Sequence, residues 1–143
     1  MSRIKIVLPE KFLNTSINIP VRISDINYGD HVGNDSMVSI IHEARVQFLQ
    51  QYGYTELNIE GTGLIMSDIF VEFKNESFYK DIINVKLAIG DISKVSFEIF
   101  YLLNTSRNNK ELIIANAKTT MICYDYEAKK IVEIPEKLKN IIS

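Results

Sequence analysis

Several residue types are scarce in this chain of 143 residues, and each scarcity excludes a class of protein. Cys123 is the only cysteine, which excludes an intramolecular disulfide and a cysteine-rich zinc site. The two histidines, His31 and His42, make a metal site possible but give it no support. The 16 Lys and Arg residues and 18 Asp and Glu residues give a net charge of −2, without the basic stripe that nucleic-acid binding needs. We therefore expect no metal, no cofactor and no nucleic-acid partner.

Long apolar runs are missing as well. No window approaches the ~20 apolar residues that a membrane-spanning helix needs. The first residues, MSRIKIVLPEKF, have too short an apolar run for a signal peptide, and Pro9 interrupts it. These features predict a cytoplasmic protein without membrane association. With 46% hydrophobic and 24% charged residues, the composition is that of a folded protein, and the length fits a single domain over residues 1–143.

A change of hydrophobic period marks the first two elements. In INIPVRI, residues 17–23, apolar and polar residues alternate, which predicts a half-buried strand with Ile23 on its apolar face. Pro20 cannot donate a ladder hydrogen bond, so we expect this strand at a sheet edge or at a bulge. From about residue 35 to residue 52, apolar residues recur at helical spacing, which predicts one long helix that ends at Gly53.

The rest of the chain predicts strands joined by hairpins. Apolar and polar residues alternate in DIFVEF, NVKLAI and VSFEIFY, and a long strand follows from Leu112 to Tyr124. Gly90-Asp91 is expected to form a tight turn, and the polar segment TSRNNKE another. A short strand near Ile131 and a closing helix after Pro135 complete the chain. This order predicts an α+β fold in which a curved antiparallel sheet wraps around one long central helix.

The segment between the first strand and the helix, DINYGDHVGN at residues 25–34, resembles the pattern of a known family. In hotdog-fold acyl-CoA thioesterases of the 4-hydroxybenzoyl-CoA thioesterase and YbgC-like group, a strand runs into D-x-D-x-x-G-H-V-N-N, and a central helix follows, often with E-x-x-R. HEAR at residues 42–45 is a compressed form of that helix signature. The order of elements agrees with this family from about Ile17 to Tyr124.

The resemblance implies a hotdog fold and hydrolysis of an acyl-CoA thioester to free acid and CoA. It also implies a homodimer or homotetramer with active sites between subunits, where the thioester meets the N-terminus of the central helix. That end of a helix offers unpaired N–H groups and the positive end of the dipole. Gly33 and Asn34 stand there and are the expected substrate-binding residues, with the N–H of Asn34 as the donor.

The chain departs from the family pattern at its second aspartate, the carboxylate that attacks the thioester or activates water. Asn27 occupies that position, and an amide is neither a base nor a good nucleophile. Asn27 can still donate a hydrogen bond to a carbonyl or orient a water molecule. In addition, the glycine before the histidine has become Asp30, and the first asparagine after Val32 has become Gly33.

Three carboxylates are candidates to replace the missing one. Asp30 lies in the loop, and the alternative to a catalytic role is that it is simply a turn residue. Asp35 lies in the first helical turn, where the alternative is simple complementation of the helix dipole. Glu43 lies ~13 Å along the helix axis from Asn34, so it is better placed to reach a partner subunit's site, as the helical glutamate does in another hotdog thioesterase group. The alternative to a catalytic role for Glu43 is a solvated helix face or an ion pair with nearby Lys and Arg residues. We predict that Asp35 or Glu43 is the catalytic carboxylate.

Three of four further side chains are candidates for a role in the site. His31 is a candidate for proton transfer, because imidazole exchanges protons near neutral pH, or it bonds to the backbone and fixes the loop. Tyr28 is a candidate wall of the acyl pocket. Arg45, with lysines of the loops, is a candidate for binding the CoA phosphates, or it is solvated. His42 is expected to be structural or exposed.

Two other functions are compatible with the same fold. A hotdog hydratase or dehydratase uses a histidine and a helical acid, which His31 and Glu43 loosely match, although the Pro-Gly context usual for such enzymes is absent. An acyl-CoA-binding protein that has lost catalysis would account for Asn27. Release of free thiol from an acyl-CoA distinguishes hydrolysis from both.

Overall fold

In the computed structural model, which describes residues 4–143, an antiparallel sheet of six strands packs against one long helix. The helices are α1 (Asn34–Gln50) and α2 (Glu136–Ile142). The strand order is β1-β3-β4-β5-β2, and β6 pairs with β5. The strands are β1 (Ser16–Pro20), β2 (Gly63–Phe73), β3 (Ile82–Ile92), β4 (Ser96–Arg107), β5 (Lys110–Asp125) and β6 (Lys130–Ile131). The predicted α+β fold is confirmed. Neither helix is long and apolar enough to cross a membrane, within residues 4–143.

The long helix α1 forms where the sequence predicts it and buries the predicted apolar stripe. Its buried side chains join those of β3, β4 and β5 in one hydrophobic core. Burying a large apolar side chain contributes about 1.5–3 kcal/mol, so this stripe fixes the helix on the sheet. The chain leaves the helix through Gly53, whose φ of +76° is the left-handed conformation that glycine adopts without strain. The buried stripe consists of Met37, Ile40, Ile41, Ala44, Phe48 and Leu49.

The first strand lies at one edge of the sheet, as Pro20 predicts, because β1 pairs with β3 alone. The strand ends at Pro20, however, and the prediction that it continues to Ile23 is wrong. The chain turns instead into a short 3₁₀ segment, Ile23–Asp25, which leaves Ile23 68% exposed. This turn is stabilised by the carboxylate of Asp25, which accepts the backbone N–H of Arg22 at 2.8 Å.

The predicted turn at Gly90-Asp91 is also wrong, because β3 continues to Ile92 and the reversal follows at residues 93–95. A bulge occurs here, since the pairing register shifts between Ile89 and Ile92. The N–H of Asp91 donates to the Glu98 side chain at 2.9 Å. A Cβ at Gly90 would lie 2.5 Å from the ring of Phe100 and 2.6 Å from the same carboxylate, so a larger residue would displace these side chains. By contrast, the predicted turn in TSRNNKE is confirmed at Asn108-Asn109, both with positive φ.

The opposite edge of the sheet is formed by β2, which is longer than the predicted strand DIFVEF and begins at Gly63. It pairs with β5 and contains a bulge between Met66 and Asp68. Three large apolar side chains on this edge strand are exposed: Met66, Phe70 and Phe73. The short strand near Ile131 and the helix after Pro135 form as predicted.

Candidate functional site

Asp25 anchors the loop that leads into α1. Its carboxylate is buried and accepts a hydrogen bond from the Arg22 guanidinium at 3.0 Å. Its backbone carbonyl accepts the N–H of Gly33 at 3.0 Å, which joins the two ends of the loop. Burial alone would raise the pKa of Asp25, but hydrogen bonds from Arg22 and Ser36 outweigh it and lower the pKa. The first aspartate of the motif is therefore a structural residue, a role that the sequence analysis did not assign.

Asn27 and His31 close a tight loop between them. The N–H of Asn27 donates to the carbonyl of His31 at 2.9 Å, and the N–H of Asp30 donates back to the carbonyl of Asn27 at 3.1 Å. Asp30 has a φ of +64° and occupies the turn. The side-chain oxygen of Asn27 accepts the N–H of Gly29 at 2.9 Å. The amide NH₂ of Asn27 is therefore the part of this side chain that can serve a ligand.

The start of α1 lies directly beside Asn27. Gly33 precedes the helix, and within residues 4–143 no side chain caps its first turn. The N–H groups of the first helical residues, including that of Asn34, consequently keep their capacity to bind an acceptor. A Cβ at Gly33 would lie 2.7 Å from Oδ1 of Asp35 and 3.5 Å from Cβ of Asn27, so these two side chains flank the glycine.

A cleft of about 230 Å³ opens between the start of α1 and the loop that follows β2, and we name it the α1 cleft. The two walls are joined by a hydrogen bond from the N–H of Val32 to the carbonyl of Ser77 at 2.8 Å. In the cleft, Nδ1 of His31 lies 3.2 Å from the carbonyl oxygen of Val32, and Nε2 lies 3.9 Å from Oε1 of Glu76. Its lining residues are His31, Val32, Asn34, Met37, Phe73, Lys74, Asn75, Glu76 and Ser77.

Glu43 lies in a different cleft, of about 370 Å³, between α1 and β1. Its carboxylate accepts a hydrogen bond from the side-chain amide of Gln47 at 2.8 Å. Arg22 and Asp25 line the same cleft. Within one protomer the structure thus brings Asn27, His31, Gly33, Asn34 and Asp35 together at one end of α1 and leaves Glu43 apart from them. Tyr28, the expected pocket wall, is fully exposed and does not line the α1 cleft.

Both interpretations of Arg45, binding of the CoA phosphates and a solvated side chain, are wrong, because its side chain is buried in the core. Its Nε donates to Glu56 at 2.7 Å, and Nη1 donates to the hydroxyl of Tyr101 at 3.2 Å. His42 bonds to the other oxygen of Glu56, so it is a partly exposed structural residue as expected. Hydrogen bonds from Arg45 and His42 outweigh the effect of burial and lower the pKa of Glu56.

An antiparallel sheet packed on a central helix, with a cleft at the uncapped start of that helix, has the architecture of a hotdog fold. The chain belongs to the thioesterase-like superfamily, whose family model matches residues 21–142. This family assignment places it among the hydrolases that act on thioester bonds.

Individual relatives agree with this family assignment. A 1,4-dihydroxy-2-naphthoyl-CoA hydrolase of Microcystis aeruginosa is 27% identical over 110 residues, which cover 73% of this chain and 75% of that protein. A solved 1,4-dihydroxy-2-naphthoyl-CoA thioesterase from Synechocystis superposes with a TM-score of 0.77 at 20% identity, covering 89% of this chain and 93% of that one. A 4-hydroxybenzoyl-CoA thioesterase gives a TM-score of 0.80 at 14% identity, covering 90% and 98%. The hotdog fold is therefore confirmed.

Proposed function

We propose that this protein hydrolyses an acyl-CoA thioester to a free acid and CoA at the α1 cleft. The observation that carries the proposal is the cleft itself, where the uncapped start of α1 and His31 face the loop after β2. Family membership supports thioester chemistry, and the relatives named for naphthoyl-CoA and hydroxybenzoyl-CoA support CoA as the thiol. We further propose that the protein acts in the cytoplasm, as its composition predicts.

The start of α1 supplies the electrophilic assistance. The carbonyl oxygen of the thioester accepts the N–H of Asn34. Negative charge develops on that oxygen during attack, and both the N–H and the helix dipole stabilise it. One such donor typically lowers the activation barrier by about 2.7–4 kcal/mol.

Asn27 and His31 position the reactants. Because the oxygen of Asn27 is bound to Gly29, its NH₂ group donates to the thioester or to the attacking water. His31 has Nδ1 beside the carbonyl of Val32, so in the tautomer with the proton on Nδ1 its Nε2 accepts a proton. Water adds to the carbonyl carbon, its proton passes to a base, the C–S bond breaks, and the proton then passes to the departing thiolate.

Asp35 and Glu43 remain the carboxylates that the sequence offers for this reaction. Asp35 has the shorter path, because its carboxylate and Asn27 flank Gly33. Glu43 would act from its own cleft on the site of a partner subunit. Tyr28 is fully exposed in one protomer, so its role as a pocket wall also requires a partner or a bound acyl group.

A homodimer or homotetramer with the site between subunits is part of the proposal. The support comes from β2, an edge strand with exposed Met66, Phe70 and Phe73. An exposed apolar edge strand is a template for pairing with another chain. Phe73 also lines the α1 cleft, so a second copy paired along β2 would stand next to the site.

The proposal is tested by measuring free thiol released from short aliphatic, long aliphatic and aromatic acyl-CoAs, including 4-hydroxybenzoyl-CoA. Wild type is compared with Asn27→Ala, His31→Gln, Asp35→Ala and Glu43→Ala. We expect steady turnover by wild type and at least a 100-fold loss of kcat in His31→Gln. A positioned acid–base group typically accelerates the reaction by roughly 10²–10⁴-fold. Binding of the whole panel without thiol release would contradict hydrolysis, and hydration of crotonyl-CoA without thiol would favour the hydratase alternative.

A further inference from the structure

Neither of the two carboxylates predicted to be catalytic lines the α1 cleft. Asp35 lies beside Gly33, and Glu43 lies in the cleft between α1 and β1. The acidic side chain that does line the α1 cleft is Glu76, which comes from the loop after β2 and therefore from the wall opposite the helix. Glu76 lies far along the chain from the motif at residues 25–34, so sequence spacing alone does not connect the two.

Glu76 faces the ring nitrogen of His31 that is available for proton transfer. Its Oε1 lies 3.9 Å from Nε2 of His31, beyond the length of a direct hydrogen bond. At a separation beyond about 3.5 Å, two polar atoms interact through a shared water rather than directly. The Glu76 side chain is 65% exposed, which keeps it accessible to substrate and water, whereas the His31 side chain is 32% exposed.

The loop that carries Glu76 is held on both sides. The guanidinium of Arg107 donates to the carbonyl of Glu76 at 3.1 Å. The side chain of Asn75 donates to the carbonyl of Ile113 at 2.7 Å, and buried Ser77 accepts the N–H of Val32 through its carbonyl. The backbone of Glu76 is therefore fixed relative to both the sheet and the start of α1, as a catalytic group requires.

We propose that Glu76 is the catalytic carboxylate that compensates for Asn27, and that it holds the attacking water together with Nε2 of His31. The proposal rests on the thioesterase function proposed above. It explains how the chain can hydrolyse a thioester although an amide stands where the family has its carboxylate. The acid is supplied from the opposite wall of the same cleft.

The chemical step balances without any co-reactant. The water held between Glu76 and Nε2 of His31 forms a bond from its oxygen to the carbonyl carbon. One proton of this water passes at the same time to Glu76 or to Nε2 of His31. The resulting oxyanion is bound by the N–H of Asn34. The C–S bond then breaks, the oxyanion electrons restore the carbonyl, and the proton passes from the Glu76–His31 pair to the CoA thiolate.

The test compares Glu76→Gln with Glu127→Gln, a control of the same chemistry on an exposed turn between β5 and β6. We expect Glu76→Gln to lose at least 100-fold in kcat with KM changed less than threefold, and Glu127→Gln to match wild type. In Glu76→Ala we expect sodium formate to restore activity in a concentration-dependent manner, because formate supplies a carboxylate in the vacated space. Sodium chloride at equal ionic strength should restore nothing. A purely structural role for Glu76 predicts no such rescue.

The outcomes separate this inference from the proposed function. Thiol release by wild type that persists in Glu76→Gln, with a loss in Asp35→Ala or Glu43→Ala instead, would overturn the role of Glu76 and leave the thioesterase function intact. A loss in Glu76→Gln that formate does not relieve in Glu76→Ala would also overturn it. Wild type that binds acyl-CoAs without releasing thiol would overturn both proposals.

Discussion

Nη1 of Arg45 lies 3.2 Å from the hydroxyl oxygen of Tyr101, inside the core between α1 and β4. The same hydroxyl lies 2.7 Å from the hydroxyl of Thr119, and Nε of Arg45 bonds to Glu56 at 2.7 Å. A cation on the buried side of a helix is unusual, and it is tolerated here because each of these groups has a partner. The central helix is therefore joined to the sheet by polar as well as apolar contacts.

Arg45→Met should destabilise the protein by about 3 kcal/mol, because it leaves Glu56 partly buried without its main cationic partner. The free energy of unfolding from urea denaturation measures this effect. Lys139→Met on the exposed face of α2 is the matched control and should change stability by less than about 0.5 kcal/mol. Equal stability of Arg45→Met and wild type would show that the buried pair contributes nothing.

Asp25 should make stability depend on acid pH. Its folded-state pKa is lowered, so the carboxylate stabilises the folded protein above the ordinary aspartate value of about 3.9, and this contribution is lost as pH falls through the lower folded-state value. Asp25→Asn should therefore lose about 1.5–3 kcal/mol at pH 7, with the difference shrinking below about pH 4. Urea denaturation from pH 2.5 to pH 7 measures both, and the exposed Asp91→Asn is the control. A pH-independent difference would contradict the assigned pairing.

Asn27→Asp should raise thioesterase activity, by about tenfold or more, because it returns a carboxylate to the position where the family has one. The variant keeps an oxygen that can accept the N–H of Gly29, so the loop should retain its shape. Asn27→Ala, which loses that acceptor, is the comparison and should lower kcat. Thiol release at saturating acyl-CoA measures both variants. Lower activity in Asn27→Asp than in wild type would contradict the placement of Asn27 beside the reacting carbonyl.

The exposed apolar residues of β2 should control oligomerisation. We expect wild type to sediment as a dimer or tetramer and Met66→Lys/Phe70→Lys to sediment as a monomer, because two desolvated charges would oppose pairing along this edge. Ile131→Lys, at an exposed apolar position on β6, should leave the assembly unchanged. A monomeric wild type, or an assembly that tolerates the double substitution, would contradict a site shared across β2.

Sequence reasoning predicts most of the fold because the elements depend on local periodicity. The helical spacing in α1, the missing N–H of Pro20 and the two asparagines of the β4–β5 turn each act through neighbours in the chain. One error is local, since the Asp25 carboxylate accepts the N–H of Arg22 and turns the chain after β1. Two others arise where a distant residue decides. The bulge at Gly90 depends on the side chain of Glu98 across the hairpin, and the burial of Arg45 depends on Tyr101, a partner on a distant strand.

The candidate site divides in the same way. The segment from Asn27 to Asp35 is contiguous, so the motif alone indicates that its side chains meet at the start of α1. Glu76 reaches the same cleft only because β2 runs along the opposite edge of the sheet and its following loop returns to Val32. The polar stretch KNES directly after a strand was the available signal, but sequence spacing does not place it opposite His31.

The central claim is that water bound in the α1 cleft attacks a thioester carbonyl. A single turnover in H₂¹⁸O, with enzyme in excess over 4-hydroxybenzoyl-CoA or the best substrate of the panel, tests it most directly by mass spectrometry of the product. We predict equal amounts of thiol and acid, with one ¹⁸O in the carboxyl group of the acid and none gained by acid incubated with the enzyme alone. Unlabelled acid from the first turnover, or no acid at all, would contradict direct attack by water at this site.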